Sequence, residues 1–200
     1  KQHVSVSAAA NAIRRFLELR LGEELAAKAK AGDMIVLDGS FHTMVTGEKK
    51  YLDAFVAACV KADVLACAFS KTNKLMTKNG MPLSVVLSKM ADELPHHEKR
   101  WFYYPLVEIT DETYPAEIYV VKLHPQSKHI FVCELSKEQK YIHPDKVLGN
   151  IALISQDPVF LGYPYGLVKV DELARVTNEE VNYMRMRLSQ NLDLETLEQD

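Results

Sequence analysis

The sequence predicts an α/β protein, a mixed β-sheet flanked by helices, with an antiparallel hairpin in its middle third. Three observations carry this. Two short, fully apolar runs, Met34-Ile35-Val36-Leu37 and Val64 to Phe69, each follow a segment with helical periodicity. A central stretch is rich in β-branched and aromatic residues around a Pro125-Gln126-Ser127 turn. Hydrophobic residues make up 48% and charged residues 26% of 200 residues, enough to bury a core and unlike a disordered chain.

In order along the chain, residues 8–30 read as a helix. Ile13, Phe16, Leu17, Leu21 and Leu25 recur at spacings of three, four and eight, which marks one helical face as the expected core side. Ser7 is the expected N-cap, and Ala31-Gly32-Asp33 ends the element. The first buried strand then runs to Asp38-Gly39-Ser40. Residues 48–61 form a second helix, with Leu52, Phe55, Val56 and Cys59 on one side. The second buried strand ends at Ser70-Lys71-Thr72, and a third helix over 82–93 starts with Pro82 in its first turn.

Trp101 to Ile109, Glu117 to Leu123 and His129 to Leu135 read as strands, the last two as an antiparallel hairpin. Val147 to Ile154 fits either a strand or a helix. A Gly/Pro-punctuated loop over 157–166 precedes a helix near 167–176. Thr177-Asn178-Glu179-Glu180 is a capping box for a last helix over 178–190, and an acidic tail follows from Asp193. The length suits a single domain over residues 1–200.

The same sequence excludes several classes of function. Lys plus Arg total 24 against 27 for Asp plus Glu, a net charge of -3, so the chain is not a generally basic nucleic-acid coat, although a local basic groove remains open to it. Cys59, Cys67 and Cys133 are odd in number and without a CxxC pair, so they read as buried thiols rather than disulfides or zinc ligands. No apolar run reaches the roughly 18 residues of a membrane span, and no leader pattern is present, so a cytoplasmic protein is expected. Neither phosphate-binding loop motif occurs, nor G-x-S-x-G, nor H-E-x-x-H.

The candidate chemistry lies in scattered carboxylates. Asp38 ends a buried strand, where α/β proteins build their sites; the plainer reading is an Asp-Gly turn. Glu18 can be placed against it by counting. The strand from Asp33 to Asp38 is about 16 Å long at 3.3 Å per residue, which equals about 11 residues of helix at 1.5 Å each. Counting back from Lys30 along an antiparallel helix brings Glu18 level with Asp38, at the edge of the apolar stripe, whereas Glu24 falls short. Two carboxylates at one sheet edge point to a hard divalent cation such as Mg²⁺ or Mn²⁺. Asp171, early in a helix after the Gly/Pro loop, is the third candidate ligand, although helix starts favour Asp in any case. Lys71, after the second strand, is placed to hold a phosphate, or is simply solvated. Trp101-Phe102-Tyr103-Tyr104 offers base stacking, but such runs are more often packing. His96-His97-Glu98 invites a metal, yet adjacent residues rarely face one ion.

Six stretches, in this order, carry a resemblance: Arg14-Arg15-Phe16-Leu17-Glu18, Ile35-Val36-Leu37-Asp38-Gly39-Ser40, Ala68-Phe69-Ser70-Lys71-Thr72, Trp101-Phe102-Tyr103-Tyr104-Pro105, Val121-Lys122-Leu123-His124 and Gly162-Tyr163-Pro164-Tyr165-Gly166-Leu167. Together they resemble the NurA family, nucleases that act with the HerA ATPase in DNA end processing. The resemblance implies an RNase H-like core and metal-dependent DNA hydrolysis supported by Mn²⁺ or Mg²⁺, with two ions in a complete site. It implies 5′-to-3′ exonuclease and single-strand endonuclease activity in end resection and double-strand break repair. It further implies a homodimer and a hexameric HerA-type partner. By position, Glu18 resembles the helix-borne metal ligand, Asp38 the ligand ending a central strand, and Asp171 the late acidic position. Tyr163 matches a tyrosine near the active site and Lys71 the lysine after the next strand. The family also carries an earlier Asp-Gly-Ser. Here the motif occurs once, after the Glu-bearing helix, and the chain opens at Lys1. The first strand is therefore expected upstream, and the sequence reads as the carboxyl-terminal part of a NurA-like protein. The alternative is a non-catalytic scaffold of the same fold that binds DNA or an ATPase partner.

Overall fold

The computed structural model describes residues 6–71, 75–95, 99–105, 114–139 and 143–191. His96-His97-Glu98, the later part of the Trp101 to Ile109 run and the acidic tail lie outside these residues. The chain divides into two compact units, Lys1–Tyr165 and Gly166–Asp200.

The first unit is built on a five-stranded mixed sheet. Its strands are β1 (Met34–Asp38), β2 (Leu65–Ser70), β3 (Trp101–Tyr103), β4 (Ala116–Lys122) and β5 (Phe131–Ser136), in the order β1-β2-β5-β4-β3. β1 and β2 are parallel, joined by a helical crossover; the β2–β5, β5–β4 and β4–β3 pairs are antiparallel. The α/β class, the mixed sheet and the β4–β5 hairpin are as the sequence predicts. The hairpin turns where Ser127 N–H donates to His124 O at 3.1 Å. The helices of this unit are α1 (Val6–Ala26), α2 (Glu48–Ala62), α3 (Leu83–Asp92) and α4 (Pro144–Leu153), the last resolving the ambiguous 147–154 run as helix.

Strand alternation decides what each face meets. Ile35, Leu37, Ala66, Ala68 and Ala116 point to one face and cluster with Leu19 and Ala26 of α1 and Leu52, Phe55, Val56 and Cys59 of α2. On the same face, further across the sheet, Leu87 of α3 packs with Val120, Val132, Trp101 and Ile118. The other face carries Phe69 and Phe131, whose rings meet Tyr163 at centroid distances of 5.7 and 5.5 Å. Cys59, Cys67 and Cys133 are free and buried, and burial pushes the Cys59 thiol up to about 11.

Four details differ from the sequence reading. First, α1 buries Leu19, Gly22 and Ala26, while Ile13, Leu17, Leu21 and Leu25 are 47–60% exposed. At 100° per residue, Leu17 and Leu21 lie about 160° either side of Leu19, so the expected core stripe faces away from the core. Small size explains the reversal. A Cβ on Gly22 would sit 2.9 Å from the Phe55 ring, so only glycine admits so close an approach of α2. Phe16 alone of the expected stripe is held, stacked on Tyr51 at 4.8 Å. Second, α1 already includes Val6, so Ser7 is a helical residue, not the cap, and the helix ends at Ala26. Third, Pro82 occupies the N-cap of α3 rather than its first turn. Fourth, β3 ends at Tyr103; Trp101 joins the α3 cluster, whereas Phe102 and Tyr104 turn their rings onto Tyr119 at 5.9 and 4.6 Å.

α5 (Tyr165–Ala174) leads into the second unit, which continues with α6 (Asn178–Asn191). The predicted capping box is in place: Thr177 N–H donates to Glu180 at 2.8 Å, and Glu180 N–H donates to the Thr177 hydroxyl at 3.2 Å. No helix among the described residues is long and apolar enough to cross a membrane.

Candidate functional site

A cavity of about 680 Å³ opens on the α1/α2 face of the sheet, and both Glu18 and Asp38 line it. Its floor holds Ser70, Ile118, Val132 and Glu134; its rim holds the turn after β1 and the first half of α1. The floor thus mixes two apolar side chains with a hydroxyl and a buried acid, below a charged rim.

The two carboxylates reach it differently. Glu18 comes from α1, one residue before the buried Leu19, and its side chain is 30% exposed. Asp38 pairs in register with Phe69, so alternation aims its side chain to the side opposite Leu37, and as the last residue of the strand it borders the cavity. There it lies 3.9 Å from the Lys71 ammonium, each side chain about half exposed. Lys71 in turn stands 4.8 Å over the Tyr163 ring. Asp38, Lys71 and Tyr163 thus form one connected row. Asp171 belongs to the second unit, on α5, where Arg175 donates to it at 2.8 Å.

The turn after β1 is held from three elements. Gly39, at φ 141°, occupies backbone space that favours glycine, and its N–H continues the ladder to Phe69 O at 3.0 Å. The Ser70 hydroxyl of β2 donates to Gly39 O. Arg15 of α1 donates to Ser40 O at 2.7 Å. Glu134 of β5 accepts the Phe41 N–H at 2.8 Å, and the Phe41 ring is 1% exposed.

Two buried acids frame this turn. Glu48 opens α2 and is 2% exposed. It accepts from Arg15 at 2.9 Å and from the Met44 and Val45 amides at 2.8 and 3.2 Å. Burial alone would raise its pKa; the guanidinium and the two amides outweigh it and hold Glu48 below the usual carboxylate range. The same Arg15 donates to Glu18 at 3.0 Å, so one guanidinium spans two carboxylates and a carbonyl. Glu134, 4% exposed, has neutral donors in direct contact, the Phe41 amide and the Tyr114 hydroxyl at 2.7 Å. Burial wins there, and its pKa is raised. Burial and the neighbouring Glu134 also push Tyr114 up.

Carboxylate oxygens suit a hard divalent cation, and Glu18 and Asp38 are the residues bordering the cavity that would hold one. Among the described residues, no three or more His, Cys, Asp or Glu side chains converge as a metal-holding group.

Sequence reasoning gave no role to Arg15, Glu48, Tyr114 or Glu134. For Glu134 a signal was there: a lone acid inside the apolar run Phe131-Val132-Cys133-Glu134-Leu135, where charge is rarely buried without partners. Tyr114 and Arg15 carry no comparable mark, because their partners lie on other elements. No family model, curated protein or solved structure matches the chain.

Proposed function

We propose that this chain is a metal-dependent nuclease domain that hydrolyses phosphodiester bonds in DNA, with an RNase H-like core and Glu18 and Asp38 as ligands of Mn²⁺ or Mg²⁺. The observation that carries the reading is that a helix-borne and a strand-end carboxylate line one cavity, with basic side chains beside them. When bound, the cation supplies Lewis acidity to the phosphodiester. The protein's own part is positioning. Lys71, beside Asp38, offers a phosphate a compact positive charge, and the Tyr163 ring steadies that ammonium. Arg14, on the cavity rim, is a second phosphate contact. The reading extends to a homodimer, a HerA-type hexameric ATPase partner and work in DNA end resection.

The test is cleavage of labelled single- and double-stranded DNA with Mn²⁺, comparing the chain, the chain within any longer parent protein, and Asp38→Ala. A metal ligand removed should cost about 100-fold or more in rate. Unchanged cleavage by Asp38→Ala sinks the assignment.

The scaffold alternative draws on one specific observation: Glu18 is paired with Arg15, and Asp38 lies near Lys71. It predicts no cleavage under any metal and DNA binding that is indifferent to Asp38→Ala.

A further inference from the structure

The geometry points to Glu134 as a positioning residue that fixes the Asp38–Phe41 turn, and through it the direction of the Asp38 carboxylate. The consequence for metal rests on the function proposed above; the hold on the turn does not.

Glu134 sits on β5 in the middle of the sheet, opposite Ala68 of β2 and Ile118 of β4. Ala68 in turn is opposite Leu37 of β1. The turn that Glu134 grips is therefore two strands away. Ala68 makes the reach possible, since its methyl leaves space above β2 that a larger side chain would fill. A carboxylate so placed is costly, because its neighbours in the sheet are apolar and it is 4% exposed. Its partners meet that cost. One oxygen takes both the Phe41 amide and the Tyr114 hydroxyl, at 2.8 and 2.7 Å.

The other holds on the turn lie nearer β1, among them the Gly39 N–H on Phe69 O. Arg15 and Ser70 grip carbonyls, those of Ser40 and Gly39. Of the contacts reaching the turn from β5, Glu134 supplies the one that fixes an N–H, that of Phe41. Phe41 is also a buried core ring, so its amide and its side chain together locate the end of the turn. Asp38 is half exposed and three residues earlier. Its direction is set by the backbone between β1 and Phe41, with little packing of its own. Losing the acceptor would leave a buried N–H unsatisfied and free the turn to swing about Gly39.

Three variants test this by amide exchange read residue by residue, together with Mn²⁺ titration by calorimetry. Glu134→Leu keeps volume and removes the acceptor; Glu134→Gln keeps an acceptor oxygen; Tyr114→Phe removes one donor without touching the sheet. In Glu134→Leu the Phe41 amide should exchange about 10-fold faster or more, while the Val120 and Cys67 amides change far less. Glu134→Gln should restore exchange to within about 3-fold of wild type, a rescue that loss of global stability would not show. Mn²⁺ affinity should fall about 10-fold in Glu134→Leu and recover in Glu134→Gln, as for residues that orient a ligand. If Glu134→Leu does not fold, Tyr114→Phe carries the test, with faster exchange confined to the turn.

An unchanged Phe41 amide in Glu134→Leu, or in Tyr114→Phe where that variant carries the test, overturns the proposal, as does acceleration of all amides together. Slow Phe41 exchange lost in Glu134→Leu supports it even where the wild type takes up no Mn²⁺. That result would count against the metal site alone, so the two failures are told apart.

Discussion

Glu48 and Glu134 are the same residue at nearly the same burial, 2% and 4% exposed, yet they behave oppositely. Glu48 lies in the helical layer, where α1 delivers a guanidinium to it and α2 presents an N-terminus. Glu134 lies in the sheet and meets an amide and a phenol. At Glu48 the guanidinium and two amides outweigh burial and lower the pKa, whereas at Glu134 burial outweighs the donors and raises it. The comparison teaches that burial alone does not decide the state of a carboxylate here. What its partners set against that burial does.

The largest effect should come from breaking the charged half. Arg15→Ala leaves Glu48 buried without its counter-charge and should cost about 3 kcal/mol in urea denaturation. The double variant Arg15→Met with Glu48→Gln should recover much of the loss. If the single and double variants are equally unstable, Arg15 acts through packing and the contrast is misdrawn.

A pH series sharpens the comparison with smaller effects. For Glu48 the folded pKa lies below the unfolded value of about 4.3. Its contribution is present above that value and is lost as pH falls through the folded pKa. For Glu134 the folded pKa is raised. Its contribution is complete below the unfolded value and is lost as pH rises through the folded pKa. Denaturation midpoints from pH 3 to 8 should show wild type losing ground to Glu48→Gln on acidification and gaining on Glu134→Gln. Parallel curves for the two variants would break the comparison.

The smallest effect belongs to the exposed pair. Lys71→Ala removes a contact of 3.9 Å between half-exposed side chains and should change stability by less than about 0.5 kcal/mol. A larger loss would mean that its seat over Tyr163 carries structural weight.

Much of the fold was legible in the sequence, and the reasons are local. β1 and β2 announce themselves as apolar runs, and α2 shows one apolar face against one core. The capping box at Thr177 was readable because its two halves are three residues apart. α1 was misjudged because periodicity reports where large apolar side chains are, not which side packs. Gly22 and Ala26 carry little apolar signal, yet both are buried, and Gly22 lets the Phe55 ring of α2 approach closely. The site divides in the same way. That Glu18 and Asp38 line one cavity accords with a count along neighbouring elements. The grip of Arg15 and Glu134 on the turn was not legible, since each joins residues 25 and 93 positions apart.

That last separation has a consequence in time. β1, α2 and β2 are successive in the chain, and β4 and β5 form a hairpin, so each half of the sheet closes over a short stretch of sequence. The seam between the halves pairs Cys67 with Leu135 and Ala68 with Glu134. Such long closures lose the most chain entropy and are expected to form late. The cavity floor is made at that seam. Until β5 docks on β2, Asp38 and Glu18 lack the Val132 and Glu134 part of the floor, and the Phe41 amide lacks its acceptor. The site is thus expected to be the product of the final closure, and a chain still emerging from synthesis would carry its carboxylates well before it had a place for them.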